Sequence, residues 1–334
     1  MWIKLPFAKS RMFWGTLPVP LGLAVFLGVL TFGADGPVRV PDAPAGSTYV
    51  NMGATVPVQR PAAGPDASTG SYTVDCGRNE QGHYNMDNVV ISPGVVNGAH
   101  HTHDYVGNLS TDALSTDRSL AAAGTTCAGG DRSTYYWPVL RRLDRTGEGH
   151  KAGPGVHGNT GEAVTASSVR VEFRGNPVSS VVGMPRFLRL ITGDPVAATT
   201  ESTNVRAQWG CSGYPDRFTR NYVRCPQGSG PTRTLDFPSC WNGLTTDSRD
   251  HRTHAEFPAA DGSCPPATFP VPQLRVTLTY ELPTGTPFAV DSFPEQRRDP
   301  VTDHAIFVNV MTEDRMAALV RCINGGRHCA SGSP

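Results

Sequence analysis

Residues 273 to 282 read QLRVTLTYEL, and within them Leu274, Val276, Leu278 and Tyr280 alternate with Arg275, Thr277, Thr279 and Glu281. A period of two sends successive side chains to opposite sides of an extended chain, so the run predicts a strand buried on one face only. Three other stretches, SSVRVEFRG, PRFLRLITG and DHAIFVNVM, are likewise short and apolar or alternating. The 36 glycines and 29 prolines in 334 residues cut the chain into short elements joined by turns, which favours strands over helices. Only TEDRMAALVRCINGG reads as a helix, with Thr312 as candidate N-cap and Gly325 as stop. The expected fold is mainly β: a single disulfide-stabilised, β-sandwich-like domain over residues 72–334 with a short C-terminal helix.

What precedes that domain reads differently. Lys4, Lys9 and Arg11 lead an apolar run from Met12 to Ala34, the order of a signal peptide or an N-terminal membrane anchor over residues 1–34. Export follows in either case, to the extracellular space or the outer face of the cytoplasmic membrane. Residues 35–71 are rich in Pro, Gly and Ala without a lasting period, and read as a tether. All eight cysteines lie beyond the export segment, and an even count in an oxidising compartment reads as disulfides. No CxxC occurs, which argues against a zinc ribbon or a thioredoxin-like site. Pairing each cysteine with its nearest neighbour is the simplest of the many connectivities. With zero net charge and no basic stripe, nucleic acid is not an expected partner, and membrane contact is expected only through the N-terminal segment. Only three of the 29 basic residues are lysine. A GC-rich genome explains that bias, and arginines that grip carboxylates or sugar hydroxyls are the alternative.

Chemistry concentrates in two histidine clusters. GAHHTHDYVGN, residues 98–108, holds His100, His101 and His103 of the ten histidines in the chain. If this stretch is extended, His101 and His103 share a face and can chelate one metal. The second cluster, SRDHRTHAEF, holds Asp250, His251 and His254, and His304 follows Asp303 at the start of the last expected strand. Aspartate beside histidine fixes a tautomer for metal binding or for acid–base work. Tyr136 and Trp137 follow Asp131 in DRSTYYWPVL, and Trp241 stands beside Cys240; such rings either pack in the core or hold a sugar. No HExxH, GxSxG, P-loop or EF-hand pattern is present.

Six ordered segments, SPGVVNGAHHTHDYVGN, DRSTYYWPVL, GMPRFLRLITGDP, FPSCWNG, DSRDHRTHAEFP and DGSCP, resemble the DUF1996 family, exported proteins of fungi and actinobacteria. The resemblance spans roughly residues 74 to 330 and implies secretion, disulfides and a shared cluster of His, Asp, Tyr and Trp. It places His101 and His103 in one motif, Asp131, Tyr136 and Trp137 in a second, and Asp250, His251 and His254 in another. Asn242 stands where the fungal pattern has aspartate, and DHAIFVN departs from the late segment of the family. The family supplies no reaction.

Three functions are therefore expected as alternatives. The first is a hydrolase or lyase of extracellular or cell-wall polysaccharide. In it His101, His103, Asp131, Asp250 and His251 do acid–base work, and Tyr136, Trp137, Trp241 and Asn242 bind the sugar. The second is a zinc or copper protein with His101, His103, His251 and His254 as ligands, or His304 in place of the last. The third is a wall-binding module without catalysis. The first two require the clusters to meet in one depression.

Overall fold

The alternating run is a central strand of a six-stranded sheet in the computed structural model, which describes residues 49–146, 152–153 and 156–332. This strand, β16 (Gln273–Thr279), pairs antiparallel with β8 (Ser168–Arg174) on one side and β12 (Pro231–Asp236) on the other. β10 (Trp209–Cys211) flanks β12, while β2 (Ser71–Val74) and then β19 (His328–Ala330) complete the sheet beyond β8. Leu274 stands opposite Phe173 and Val276 opposite Val171, all four buried. Arg275 faces outward between Asp236 and Glu172. The period of two thus divides a dry face from a charged one.

A second sheet has five antiparallel strands in the order β3 (Tyr84–Asn85), β4 (His103–Gly107), β5 (Thr134–Pro138), β18 (His304–Val308) and β9 (Arg189–Gly193). Its Val106, Tyr135, Leu190 and Phe307 share one core with Phe173, Leu274 and Val276 of the first sheet. Phe307 packs 5.0 Å from Tyr135 and 6.0 Å from Phe173, ring centre to ring centre. Two sheets closed over a common apolar layer make the sandwich expected from the sequence. Two small three-stranded sheets extend it: β6 (Leu140–Arg142) between β7 (Glu162–Val164) and β17 (Phe288–Val290), and β13 (Cys240–Trp241) between β14 (Ala255–Glu256) and β15 (Phe269–Pro270).

Of the two α-helices among the described residues, α1 (Asp117–Ala122) is short and α2 (Glu313–Asn324) is the one read from the sequence. Thr312 and Gly325 flank α2, with Glu313 and Asp314 in its first turn and Arg321 in its last, as the helix dipole favours. The Thr312 side chain makes no capping hydrogen bond, so its role at the N-terminus is one of backbone conformation.

The disulfides are Cys76–Cys127, Cys211–Cys225, Cys240–Cys264 and Cys322–Cys329, the nearest-neighbour set. The first closes a 51-residue loop that carries the His100–His103 run, and on loop entropy alone it is worth about 4 kcal/mol.

The start of the fold differs from expectation. β1 (Tyr49–Asn51) pairs in parallel with β11 (Tyr222–Arg224), the Tyr49 hydroxyl donates to the Phe288 carbonyl, and Met52 is fully buried. The tether expected through residue 71 is therefore folded from Tyr49 onward. Its three-residue strand is too short to leave a period in the sequence. The export segment over residues 1–34 lies outside the described residues, among which no helix is long and apolar enough to cross a membrane.

Candidate metal centre

At one end of the five-stranded sheet, β4 and β18 begin where β5 and β9 finish. His103 stands opposite Pro138, and the pairing of Ile306 with Tyr136 brings His304 level with Pro138 from the other side. Cross-strand neighbours share a face, so His103 and His304 point the same way. This is the face turned from the common core, where Tyr105, Tyr136, Ile191 and Ile306 form a second apolar cluster. Opposite His304 lies Gly193 at φ 77°, where a Cβ would sit 2.1 Å from the Asp303 carbonyl oxygen. Only glycine lets the strands approach so closely there.

His101 completes a triad. Its Nε2 lies 3.1 Å from Nε2 of His103 and 3.3 Å from Nε2 of His304, and one ligand atom from each ring falls within 4.8 Å of the others. His103 Nδ1 is 2.9 Å from the Asp87 carbonyl oxygen, and His304 Nδ1 is 2.8 Å from that of Thr302. A carbonyl can only accept, so both Nδ1 atoms carry the proton, and in the neutral rings both Nε2 atoms present lone pairs. Nitrogens at the zinc–nitrogen bond length in tetrahedral array stand about 3.3 Å apart, which matches the two contacts of His101. Nδ1 of His101 is buried without a well-formed hydrogen bond, although the Ala99 backbone favours its proton.

Burial disfavours the charged form of all three rings, and His101 and His103 also feel neighbouring imidazoles as like charges. Together these effects lower His103 to about 3, His304 to about 4 and His101 well below its ordinary value. The rings are therefore neutral, as ligation requires, over the whole physiological range. His103 rests edge-on against Tyr136, which stacks on Tyr105, and Tyr105 in turn stacks on His83. Phe293 packs edge-on against His101 and also touches His100, which faces solvent in the left-handed region at φ 56°.

The other expected site residues lie elsewhere. Asp131 is buried and accepts from Ser133 N, Ser133 Oγ and the Tyr135 hydroxyl, closing the turn into β5. Tyr136 and Trp137 are each 1% exposed, Tyr136 beneath His103 and Trp137 on the opposite, core-facing side, so neither offers a ring face to a sugar. Asp250 accepts from Ser248 Oγ and from the Arg252 and Thr253 amides, which holds its carboxyl well below the usual range and ties a turn. Trp241 Nε1 donates to the Thr245 carbonyl, and Asn242 Oδ1 accepts from the Leu244 and Thr245 amides.

The second histidine cluster does not join the first. His251 Nδ1 pairs with Asp247 at 2.9 Å. His254 has both ring nitrogens engaged, one with the Arg189 carbonyl and the other with Ser248 Oγ. His254 has no lone pair to offer a metal without breaking the loop onto β9. The structure thus unites His101 and His103 with His304, not with His251 and His254.

Asp104, between two of the strands' buried faces, was not singled out by its sequence context. It accepts from Asn79 Nδ2 at 2.7 Å, and burial raises its carboxyl from 3.8 to about 7. The folded state then holds this proton more tightly than the unfolded one, so stability falls as pH rises from about 4 to about 7, by at most about 4 kcal/mol. Asp104→Asn is expected to raise the melting temperature at about pH 8 and to change it little at about pH 4. Melts at both values check this, and an unchanged midpoint at the higher pH would contradict it.

No curated protein and no solved structure matches the chain. A family model described as a domain of unknown function, DUF1996, matches residues 88–307, a span that runs from just after β3 to the strand that supplies the third imidazole. As that span is well over half of the sequence, the chain belongs to the DUF1996 family.

Proposed function

We propose that this chain is an exported metal-binding protein in which His101, His103 and His304 hold one zinc or copper ion. The observation that carries the reading is the pair of Nδ1–carbonyl hydrogen bonds, which fix two tautomers so that their Nε2 lone pairs converge beside the Nε2 of His101. Without a cation, one shared N–H must separate those lone pairs. A metal ion satisfies all three at once. Imidazole is a good ligand for both metals, and three nitrogens leave a tetrahedral ion one position for a non-protein ligand. Export is supported by four disulfides and by the basic, then apolar, start of the sequence.

The polysaccharide reading that relied on Tyr136 and Trp137 has less support, since both rings are enclosed. Elemental analysis of the purified, oxidised full-length chain tests the proposal. One equivalent of zinc or copper is expected. A thousandfold excess of ion over its dissociation constant should stabilise the fold by about 4 kcal/mol. Trace metal only, with no shift in the melting midpoint on adding either ion, would overturn the reading.

A further inference from the structure

The outer face of the six-stranded sheet floors a groove of about 550 Å³. The pairing register lays two polar rows across that floor. One runs Asp236–Arg275–Glu172 over β12, β16 and β8, the other Gln273–Arg174–Ser71–His328 over β16, β8, β2 and β19. The polar half of the alternation at 273–279 therefore becomes the floor of a cavity. Residues 58–63, from the stretch expected to be a tether, form one wall, and Arg206 with Phe257 belongs to another.

Four arginines line the groove against three carboxylates, Glu172, Asp216 and Asp236. Arg275 clasps Asp236 through Nε and Nη2, and Arg60 pairs with Asp216. Arg174 gives Nη2 to Asp236 and Gln273, but its Nε is buried with no hydrogen-bond partner. Arg206 pairs with no carboxylate among the described residues. Its Nη1 donates to the Thr203 and Val205 carbonyls, its guanidinium lies 4.4 Å over the Phe257 ring, and its Nε is likewise buried and unmatched. The other charges that act on it, Arg220 and Arg252, are also positive. A buried guanidinium N–H without an acceptor is costly, and a planar fork suits a carboxylate.

We infer that this groove binds a saccharide that carries a carboxylate, as a uronic acid does. The excess guanidinium takes the acid group. Glu172, Asp216 and Asp236, with the amides of Gln208 and Gln273, meet the ring hydroxyls. A phosphate at neutral pH carries only one or two hydroxyls on a single centre, too few and too close together to serve carboxylates spread along the groove. The volume falls in the range of small-ligand sites, enough for a short oligomer. The site is independent of the imidazole centre, which lies on the outer face of the other sheet.

Calorimetric titration of the full-length, oxidised chain with trigalacturonate, maltotriose and inorganic phosphate tests this. Trigalacturonate is expected to bind and to weaken as salt is raised, because its carboxylate is held by charge. Maltotriose should bind at least about tenfold more weakly. Arg206→Gln should lower trigalacturonate affinity about tenfold or more, and Arg206→Lys, which keeps the charge but not the fork, should recover part of the loss. If Arg206→Gln melts early, Arg60→Gln, in the lining segment 58–63, is the second variant. It leaves Asp216 unpaired facing the ligand, and so should weaken binding as well. No binding of trigalacturonate, equal affinity for maltotriose, phosphate binding as tightly, or indifference to both substitutions would each overturn the inference.

Discussion

Replacing His304 by alanine is expected to strip the metal from the protein, while His251→Ala leaves it bound. Structural zinc sites gain roughly 10–16 kcal/mol from about four ligands, so one imidazole is worth about 3 kcal/mol, or at least about a hundredfold in affinity. His304 supplies one of three converging nitrogens. His251 is engaged with Asp247, outside that group. Competition titration against a coloured chelator reads the difference. The melting midpoint of metal-free protein should fall by only a part of the total stability in the His304 variant, because the lost contacts there are the hydrogen bond to the Thr302 carbonyl, the Nε2 contact with His101 and some packing. If the His251 variant loses metal and the His304 variant keeps it, the ligands are His101, His103, His251 and His254 drawn from the two clusters, and the triad is only a packed core.

His101 and His103 could be paired from the sequence because two residues on an extended chain share a face by geometry alone. His304, 203 positions from His101, could be offered only as one alternative among several. Its place is set by the register of β4, β5 and β18, and nothing local in DHAIFVNVM fixes which residue of the strand stands level with Pro138. Tyr136 and Trp137 present no open ring face to a sugar, and the reason is a different one. All five residues of β5 are buried, since the strand is central in its sheet and covered on both sides. An unbroken apolar run such as TYYWP is what a doubly covered strand looks like. By contrast, QLRVTLT alternates because one of its faces is polar and lines the groove. Asp250 and Asn242 are turn-forming residues whose carboxylate or amide oxygen is spent on nearby backbone amides. Aspartate and asparagine in a loop carry that reading by default.

The other large effect is expected beneath the triad. Arg233 and Asp303 have fully buried side chains and meet between the sheets, Arg233 Nε lying 3.1 Å from Asp303 Oδ2. Arg233 also donates to the Pro138 carbonyl and the Tyr280 hydroxyl. Burial alone would lower its pKa, but Asp303 and Tyr280 more than offset this and keep it charged. One guanidinium thus ties β12 to the end of β5 and to the residue before His304. Arg233→Met would leave the Asp303 carboxylate buried and unpaired, a loss of about 3–5 kcal/mol against a total stability of about 5–15 kcal/mol. The expected result is a cooperative unfolding transition shifted far toward lower denaturant.

Removing both charges separates the value of the pair from the penalty of orphaning one member. Arg233→Met with Asp303→Leu is expected to regain at least about half of the lost stability, since well-packed apolar groups often replace a buried pair without net loss. Metal affinity gives an independent reading, because both proteins lack the bonds that hold Pro138 and the start of β18 in line. It should fall in both variants, even where stability returns. A single substitution that loses less than about 1 kcal/mol would mean that water reaches the carboxylate. A double variant that recovers its stability and binds metal as tightly as the parent would mean that the strand register alone, without this ion pair, positions His304.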